Sequence, residues 1–373
     1  MITKPVGLYL HVPFCVRKCS YCDFCSFPIS QCDWVDSYIN ALITDIRSYK
    51  DERISLDSIY FGGGTPSILS PDCFERIVRS ISECFEIMPD CEFTVEANPG
   101  TLDDVKLKAF HQLGVNRLSL GLQSIHKNEL KKLGRIHSYE DFLKSYSLAR
   151  EIGFDNINVD LMYAIPEQTI DSFKDTLESV ITLGPHHISL YGLIIEEGTS
   201  FYRNFDTLNL PGEDNECNMY SLACDIMRKA GFNHYEISNY ALCGKESRHN
   251  LKYWHCDEYI GVGLSAHSCF KGSRYANPDN VDEYLADPKG RICYEKTDSQ
   301  DERAYEYVML GLRLGNGFSL DEFKEKFGYD FLSGREQTVR GLLSAGYAVI
   351  NGSRLALTER GMYVSNAILT DLI

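Results

Sequence analysis

The chain has 373 residues, of which 44% are hydrophobic, so it is long enough for one barrel-sized domain and a smaller second domain. Its 37 basic and 53 acidic side chains give a net charge of −16, which argues against a nucleic-acid partner and favours a neutral or cationic one. Apolar runs stay short of the roughly 18 residues that span a bilayer, so no integral membrane segment is expected. Fourteen cysteines without a secretory signal predict a reducing, cytoplasmic location, where clustered thiols bind metals or act in redox chemistry.

Strands and helices alternate along the first half of the chain. The hydrophobic pattern predicts six strands, at residues 7–12, 58–61, 92–97, 117–121, 156–161 and 187–191. Helices are predicted between them, at residues 32–49, 70–85, 101–113, 138–152 and 168–183. This alternation is typical of a parallel sheet with right-handed crossovers. The expected fold is therefore α/β, a partial (β/α)6 TIM-like barrel with its site at the carboxyl ends of the strands.

The last quarter of the chain is predicted to form a separate domain. A helix at 213–231 and strands at 234–237 and 259–265 precede a polar stretch at 276–300, predicted as a linker. Residues 1–275 would then form the barrel with its extension, and residues 301–373 the second domain. Three helices, a hairpin at 347–357 and a final helix are typical of a winged-helix-like module. Eight basic against ten acidic residues from 301 onward favour docking over DNA reading.

Three cysteines lie within eight positions directly after the first predicted strand, at Cys15, Cys19 and Cys22. Such a C-x3-C-x2-C array can hold three irons of a [4Fe-4S] cluster and leave the fourth iron open to a ligand. Zinc is a second interpretation, because Cys25 can supply a fourth thiolate, although no second ligand pair follows. A disulfide is disfavoured, because cysteines this close rarely bridge without strain. The cysteines alone leave the cluster and zinc both open.

Further motifs follow the next strands. The run GGGTPS at 62–67 lets backbone groups approach a ligand closely, or simply forms a tight turn. Glu96 ends the third strand, where a carboxylate can accept hydrogen bonds from ribose hydroxyls. Gln123 and Arg135 follow the fourth strand, and Asp160 lies in the fifth. Each alone is more typical of a solvated loop group or an ion pair, but their shared position predicts one site at the barrel rim.

The segment HNLKYW at 249–254 brings an imidazole, an amide, a phenol and an indole close together in sequence. Flat aromatic rings beside a neutral imidazole suit a flat aromatic ligand, and imidazole is a common ligand of heme iron. Taken alone, however, the segment is more typical of core packing around a structural histidine.

In order along the chain, C-x3-C-x2-C, GGGTPS, EANPG, GLQS, LGRIH, NVDLMYAIP and HNLKYW resemble the motifs of the radical S-adenosylmethionine (SAM) superfamily. More closely, the chain resembles the oxygen-independent coproporphyrinogen III oxidase family of porphyrin biosynthesis, and within it the heme-chaperone branch. The likeness runs from about residue 8 to the carboxyl terminus.

The resemblance implies that Cys15, Cys19 and Cys22 hold a [4Fe-4S] cluster whose fourth iron is chelated by SAM. An electron from a small donor such as flavodoxin or ferredoxin would then cleave SAM to a 5′-deoxyadenosyl radical. The positions that the resemblance implies for SAM or for the cavity around it are Tyr9, Tyr21, Gly63, Gly64, Thr65, Glu96, Gln123, Arg135 and Asp160. The positions that it implies for heme are His249, Asn250, Tyr253 and Trp254.

Two departures separate the chain from the oxidases. Phe24 stands where the oxidase pattern has a further cysteine, and only fourteen residues precede Cys15, where the oxidases carry an N-terminal extension. Both favour a cytoplasmic heme chaperone that binds heme and transfers it to an acceptor protein, with enzymatic activity left open. The alternative is an oxidase that decarboxylates coproporphyrinogen III to protoporphyrinogen IX. A radical enzyme for another substrate and a structural zinc protein are the remaining hypotheses.

Overall fold

The computed structural model describes residues 4–50, 52–293 and 299–372. A large mixed sheet organises the first part of the chain, and a small sheet belongs to the last part. The strands of the large sheet are β1 (Val6–Val12), β2 (Ser55–Gly63), β3 (Glu86–Ala97), β4 (Arg117–Gln123), β5 (Asn156–Tyr163), β6 (His187–Gly192), β7 (Asn233–Glu236), β8 (Asn239–Ala241), β9 (Tyr259–Val262), β10 (His267–Phe270), β11 (Ser273–Ala276) and β12 (Ile292–Cys293). Those of the small sheet are β13 (Phe318–Ser319), β14 (Ala348–Asn351) and β15 (Arg354–Leu357).

The six predicted strands lie side by side and parallel, in the order β1 to β6. The glycine-rich strand β9 also runs parallel and pairs with the free side of β1, with Gly7 opposite Tyr259. The antiparallel strand β8 lies beside β6 at the other edge. The predicted partial barrel is thus confirmed, and β9 extends its parallel part beyond β1.

Helices connect the parallel strands and cover the outer face of the sheet. In chain order the helices are α1 (Val35–Arg47), α2 (Pro71–Cys84), α3 (Asp104–Gln112), α4 (Lys127–Lys132), α5 (Tyr139–Ile152), α6 (Ile170–Thr182), α7 (Ser200–Arg203), α8 (Glu213–Lys229), α9 (Arg248–Trp254), α10 (Val281–Ala286), α11 (Gln300–Gly311), α12 (Leu320–Phe327), α13 (Glu336–Ala345), α14 (Glu359–Tyr363) and α15 (Ser365–Leu372). Capping explains where several begin: the Ser138 hydroxyl accepts from the Asp141 amide at the start of α5, and Asp141 returns the bond.

Along the barrel strands, apolar and polar side chains alternate and so lie on opposite faces of the sheet. In β4, Leu118, Leu120 and Leu122 are fully buried in the main hydrophobic core. Arg117 and Ser119 alternate with them, and both are buried although polar. Because successive side chains point to opposite faces of a strand, one face of β4 packs in the apolar core and the other contributes to a polar barrel interior.

The C-terminal part has its own hydrophobic core, which includes Val308, Phe318, Phe323 and Leu355. Three helices, the β14–β15 hairpin and the final helices follow the predicted order. The segment predicted as a linker, 276–300, contains α10 as well as β12, which pairs with β11 of the large sheet. Residues 294–298 of this linker lie outside the described residues, so the expected domain boundary stays a prediction.

Strand β3 is longer than its hydrophobic pattern indicates. It begins at Glu86, whereas the pattern predicts a start at residue 92. Its first residues are mostly exposed and include Pro89, and the pairing register of β2 with β3 shifts between Leu56 and Ser58. A polar, irregular strand end of this kind lacks the apolar alternation that identifies a strand in sequence.

Candidate functional site

The cysteine loop lies at the carboxyl end of β1, as predicted. Cys15 belongs to a short strand, Phe14–Cys15, that pairs with Phe27–Pro28 across the loop. Cys15 is buried, whereas Cys19 and Cys22 are half-buried. The middle of the loop is anchored by the backbone of Ser20, whose amide donates to the Leu133 carbonyl oxygen at 3.0 Å. The loop is therefore held against the segment after α4, which carries Arg135.

Polar side chains from neighbouring strand ends reach the cysteine sulfurs. The Thr65 hydroxyl lies 3.6 Å from Cys15 Sγ, and Arg135 Nη1 lies 3.5 Å from Cys19 Sγ. Asn98 connects them, because its Nδ2 donates to the Thr65 hydroxyl at 2.8 Å and its Oδ1 accepts from Arg135 Nη2 at 2.6 Å. The sequence predicts Thr65 and Arg135 as site residues, and the structure brings both to the cysteines. Asn98 is an additional site residue that the sequence does not predict.

The cysteine sulfurs fit a polynuclear cluster better than a single ion. Burial raises the pKa of Cys15 and of Cys22, so a nearby cation would favour loss of their protons. Within the part of the chain that the structure describes, their sulfurs do not belong to a group of metal-ligating atoms within 4.8 Å of one another. A cubane holds each thiolate on a different iron, so its ligands need not converge on one point. Cys19 and Cys22 are half-buried, and Thr65 and Arg135 donate hydrogen bonds toward the sulfurs. This arrangement suits a cluster with one open iron.

The glycine run ties the end of β2 to the cysteine loop. The Gly64 amide donates to the Val12 carbonyl oxygen and the Thr65 amide to that of Phe14, both at 2.8 Å. A Cβ atom on Gly64 would lie 2.7 Å from the Phe14 oxygen, and one on Gly63, whose φ is +108°, would lie 2.6 Å from the His11 ring. Close backbone packing therefore requires glycine at both positions. The glycine run therefore forms a tight turn and, through the same glycines, packs its backbone closely against the cysteine loop.

Two half-buried carboxylates line the barrel beneath the loop. Glu96 accepts hydrogen bonds from the Tyr60 hydroxyl at 2.8 Å and from the Gly63 amide at 3.2 Å. Burial raises its pKa to about 7 in spite of these bonds. Asp160 accepts from Asn158 Nδ2 at 2.7 Å, and burial raises its pKa as well. The charged form of both carboxylates is therefore disfavoured unless a further donor or cation approaches.

Gln123, Tyr9 and Tyr21 are further residues that the sequence predicts for SAM. Gln123 is buried, at 8% exposed, and adopts a left-handed backbone conformation with φ of +70°. The Tyr9 hydroxyl lies 3.1 Å from His11 Nδ1, and His11 Nε2 lies 2.7 Å from the Cys25 carbonyl oxygen. Tyr21 packs on a small apolar cluster that contains Leu133.

Gly121 marks where several of these side chains meet. A Cβ atom there would lie 2.8 Å from Asn98 Oδ1, 2.9 Å from Arg135 Nη2 and 3.3 Å from Gln123 Nε2. Its carbonyl oxygen also accepts a hydrogen bond from Arg135. The absence of a side chain at Gly121 therefore leaves room for the Arg135 guanidinium to reach the cysteine loop.

Sequence reasoning missed most of the polar barrel interior. Ser119, Asn158 and Ser189 occupy neighbouring strands and are buried. Asn158 Nδ2 donates to the Ser119 hydroxyl at 2.7 Å, and Ser189 donates to Asn158 Oδ1 at 3.2 Å. The signal that identifies them is polar alternation, as in RLSLG at 117–121 and NINVD at 156–160.

The predicted heme segment lies toward the other end of the strands. His249 belongs to α9, and its ring approaches Gly7 at the start of β1. The imidazole is 1% exposed, with Nδ1 3.0 Å from the Ser58 hydroxyl and Nε2 2.9 Å from the Tyr253 hydroxyl. Burial lowers its pKa to about 3, so the ring is neutral at physiological pH. His249 is thus placed among hydrogen-bond partners rather than at the rim with the cysteines.

The other residues of this segment also lie on α9. Asn250 is half-buried, and its amide donates to the capping hydroxyl of Ser247 at 3.4 Å. Trp254 faces the C-terminal part, where the guanidinium of Arg313 lies 5.3 Å from its ring centre. Trp254 Nε1 is buried and has no hydrogen-bond partner among the described residues.

None of the helices in residues 4–50, 52–293 and 299–372 is both long enough and apolar enough to cross a bilayer.

Comparisons with known proteins agree with this architecture. Residues 9–180 match the model of the radical SAM superfamily, and residues 298–364 match the HemN C-terminal domain. The structure is also similar to that of coproporphyrinogen III oxidase (HemN) from Escherichia coli, with a TM-score of 0.86 over 99% of this chain and 90% of the other, at 21% identity. At that identity the likeness shows the fold, and it confirms the predicted class.

Several relatives match along nearly their whole length. The chain is 38% identical to the heme chaperone HemW of Lactococcus lactis, over 99% of this chain and 97% of the relative. It is 37% identical to HemW of Bacillus subtilis, over 96% and 97% of the two chains. The corresponding identity with HemW of Escherichia coli is 32%, over 98% and 97%. The predicted family resemblance is confirmed, and the chain belongs to the HemW family within the radical SAM superfamily.

Proposed function

We propose that this chain is a heme chaperone, which binds heme and transfers it to an acceptor protein, and that it carries a [4Fe-4S] cluster and SAM at the mouth of its barrel. The observation that carries the proposal is the similarity to HemW proteins along nearly the whole chain, including the C-terminal part. Phe24 supports the same assignment, because the oxidase pattern has a cysteine there. It is 63% exposed.

Cys15, Cys19 and Cys22 would hold the cluster, and polar side chains around them would stabilise the charge of their thiolates. Arg135 would donate to the thiolate of Cys19 and neutralise part of the charge of the cluster. Thr65 would do the same for Cys15. When bound, the reduced cluster supplies the electron for cleavage of the sulfonium of SAM. The protein would orient SAM and shield the reaction from water.

SAM would lie between the cluster and the two carboxylates. Glu96, whose pKa is raised to about 7, gains stabilisation when a hydroxyl or ammonium group of a ligand approaches it. Asp160, Gln123, Tyr9 and Tyr21 would line the remaining sides of this space, and Gly63 and Gly64 keep its wall close to the cysteine loop. The reducing electron would come from a small protein such as flavodoxin or ferredoxin.

For heme, the segment with His249, Asn250, Tyr253 and Trp254 has to change its contacts. The neutral imidazole is the form that binds iron, but its Nε2 is engaged by the Tyr253 hydroxyl. Ser58 at Nδ1 is the kind of second partner that orients a metal-bound histidine. We therefore expect iron to replace the Tyr253 hydroxyl at Nε2, which requires part of α9 to move away from the barrel.

Anaerobic reconstitution followed by parallel assays tests the function. A heme chaperone is expected to form a heme complex that can be followed by absorbance, and to give no protoporphyrinogen IX from coproporphyrinogen III with reductant and SAM. Formation of that product without stable heme binding would establish an oxidase instead. A parallel assay for 5′-deoxyadenosine tells whether SAM is cleaved during either reaction.

Two variants test the heme site itself. His249→Ala is expected to abolish the absorbance change on heme addition, whereas Tyr253→Phe frees Nε2 and is expected to bind heme at least as tightly as the parent chain. Unchanged heme binding by a folded His249→Ala protein would place heme elsewhere on the molecule.

A further inference from the structure

A second group of metal-ligating side chains lies far from the cysteine loop in sequence, where the barrel meets the C-terminal part. A cavity of about 310 Å³ opens there, and α8, β7, β8 and α14 contribute to its walls. Cys224, His234 and Glu359 line it, and their ligand atoms all lie within 4.8 Å of one another. A thiol, an imidazole and a carboxylate are the three ligand types that Zn²⁺ takes from proteins.

His234 has one ring nitrogen that its own surroundings leave unused. Nε2 lies 3.2 Å from the Ile237 carbonyl oxygen, which accepts only if Nε2 carries the proton. The proton-free Nδ1 is buried and has no hydrogen-bond partner in the described part of the chain. A carbonyl oxygen behind the imidazole is the usual arrangement that fixes the tautomer of a metal-binding histidine.

The histidine ring is also held in place by packing. It stacks on Tyr240, with ring centres 4.2 Å apart and planes inclined by 9°. The Tyr240 hydroxyl lies 3.3 Å from Cys224 Sγ, and Cys224 is only 3% exposed. The same tyrosine therefore positions both the imidazole and the thiol.

Glu359 comes from the C-terminal part and completes the group. Its Oε2 accepts a hydrogen bond from Arg228 of α8, so the carboxylate already crosses between the two parts of the chain. A carboxylate has two oxygens and can keep one ion pair while it binds a cation. Arg228 nevertheless competes for the carboxylate, since a metal ion and a guanidinium repel each other.

We propose that Cys224, His234 and Glu359 form a binding site for a divalent transition-metal ion of the Zn²⁺ type, which links the barrel to the C-terminal part. Water would complete the tetrahedral shell. The site shares no residue with the cysteine loop. Zinc bound at this site and iron bound at the cysteine loop can therefore be measured separately.

Zinc binding to the full-length, anaerobically reconstituted chain tests the proposal. Iron then occupies the cysteine loop, and equilibrium dialysis against Zn²⁺ alone reports the second site through zinc and iron analysis. We expect one zinc per chain in addition to the cluster iron. His234→Gln and Cys224→Ser are each expected to weaken zinc binding by about tenfold or more without loss of iron. Cys217→Ser, which changes an exposed cysteine of the same helix, is the matched control and is expected to leave zinc binding unchanged.

Two surface variants keep the test decisive if the buried substitutions impair folding. Glu359→Gln removes a ligand, whereas Arg228→Gln removes only the competing cation. The first is expected to weaken zinc binding, and the second to leave it unchanged or strengthen it. The proposal is wrong if the parent chain takes up no zinc beyond that of the Cys224→Ser protein, or if Glu359→Gln and Arg228→Gln lower zinc binding equally.

Discussion

The two ends of the barrel differ in how their polar side chains are paired. At the carboxyl ends of the strands, Arg135 and Thr65 donate toward the sulfurs of half-buried or buried cysteines, which are weak acceptors by themselves. Toward the amino ends, the imidazole of His249 has a partner at each nitrogen and is 1% exposed. Donors directed at sulfur can stabilise the thiolates of a metal-binding site, whereas a fully paired histidine is already satisfied by the fold. The cysteine end is thus prepared for a ligand, and the histidine end needs a conformational change to bind one.

Tyr60 connects the two ends through the barrel interior. Its hydroxyl donates to Glu96 below the cysteine loop, and its ring stacks on His249 with centres 5.2 Å apart. A ligand that changes the charge of Glu96 therefore acts on a residue in direct contact with His249.

The largest expected effect comes from the cysteine loop. Serine at Cys15, Cys19 and Cys22 together is expected to lower the iron content after anaerobic reconstitution from about four per chain to near zero. Metal analysis measures the iron, and absorbance measures the brown chromophore of the cluster, which is expected to disappear with it. Cys217→Ser is the control, because that cysteine is exposed on α8. Full iron binding by the triple variant would contradict a cluster at this end.

At the opposite end, His249→Ala is expected to destabilise the fold and leave the cluster in place. Loss of a buried imidazole with two hydrogen bonds costs about 2 to 4 kcal/mol of unfolding free energy. Chemical denaturation of the full chain measures this cost. The control is His255→Ala, one residue beyond the same helix and exposed. Equal stability of the two variants would mean that the histidine end is not a packing element.

Gly64→Ala tests whether the glycine run belongs to the ligand end. The added methyl group would lie 2.7 Å from the Phe14 carbonyl oxygen, so the cysteine loop has to shift. We expect a loss of about 1 to 3 kcal/mol of stability and weaker SAM binding, measured by denaturation and by equilibrium dialysis. Gly341→Ala is the matched control, because its Cβ meets open space in helix α13. There alanine is expected to be neutral or to stabilise by up to about 1 kcal/mol.

The smallest expected effect concerns Glu96 and pH. The pKa of Glu96 is raised from 4.5 to about 7 in the folded chain. Between pH 4.5 and about 7 the folded state therefore keeps a proton on Glu96, whereas the unfolded state has lost it. Stability from this group is therefore present below pH 4.5 and declines as pH rises to about 7. Glu96→Gln is expected to flatten this decline, because the glutamine side chain does not titrate, and denaturation across this pH range measures the difference.

Glu236→Gln separates a local from a general effect. Burial raises the pKa of Glu236 to about 7 as well, but this residue lies on β7, away from the cysteine loop. SAM is expected to change the pH dependence in the parent chain and in Glu236→Gln, and to change it less in Glu96→Gln. An identical response of all three proteins would remove Glu96 from the ligand site.

The sequence by itself determined the barrel and the residues at its mouth. Each of the strands β1 to β6 contains an apolar stretch that the hydrophobic pattern locates, and the motifs that follow these stretches can be identified without a structure. Parallel strands bring their carboxyl ends to one edge, so Cys15, Thr65 and Arg135 could be assigned to a single site from strand order alone.

Only the tertiary structure decided where α9 lies and which polar groups are satisfied. His249 follows a long stretch after the last predicted barrel strand, so nothing local indicates that it returns to Ser58, 191 residues earlier. The group formed by Cys224, His234 and Glu359 likewise joins residues that are distant in sequence. Short-range patterns reflect local backbone preference, whereas the pairing of distant side chains depends on how all elements pack together.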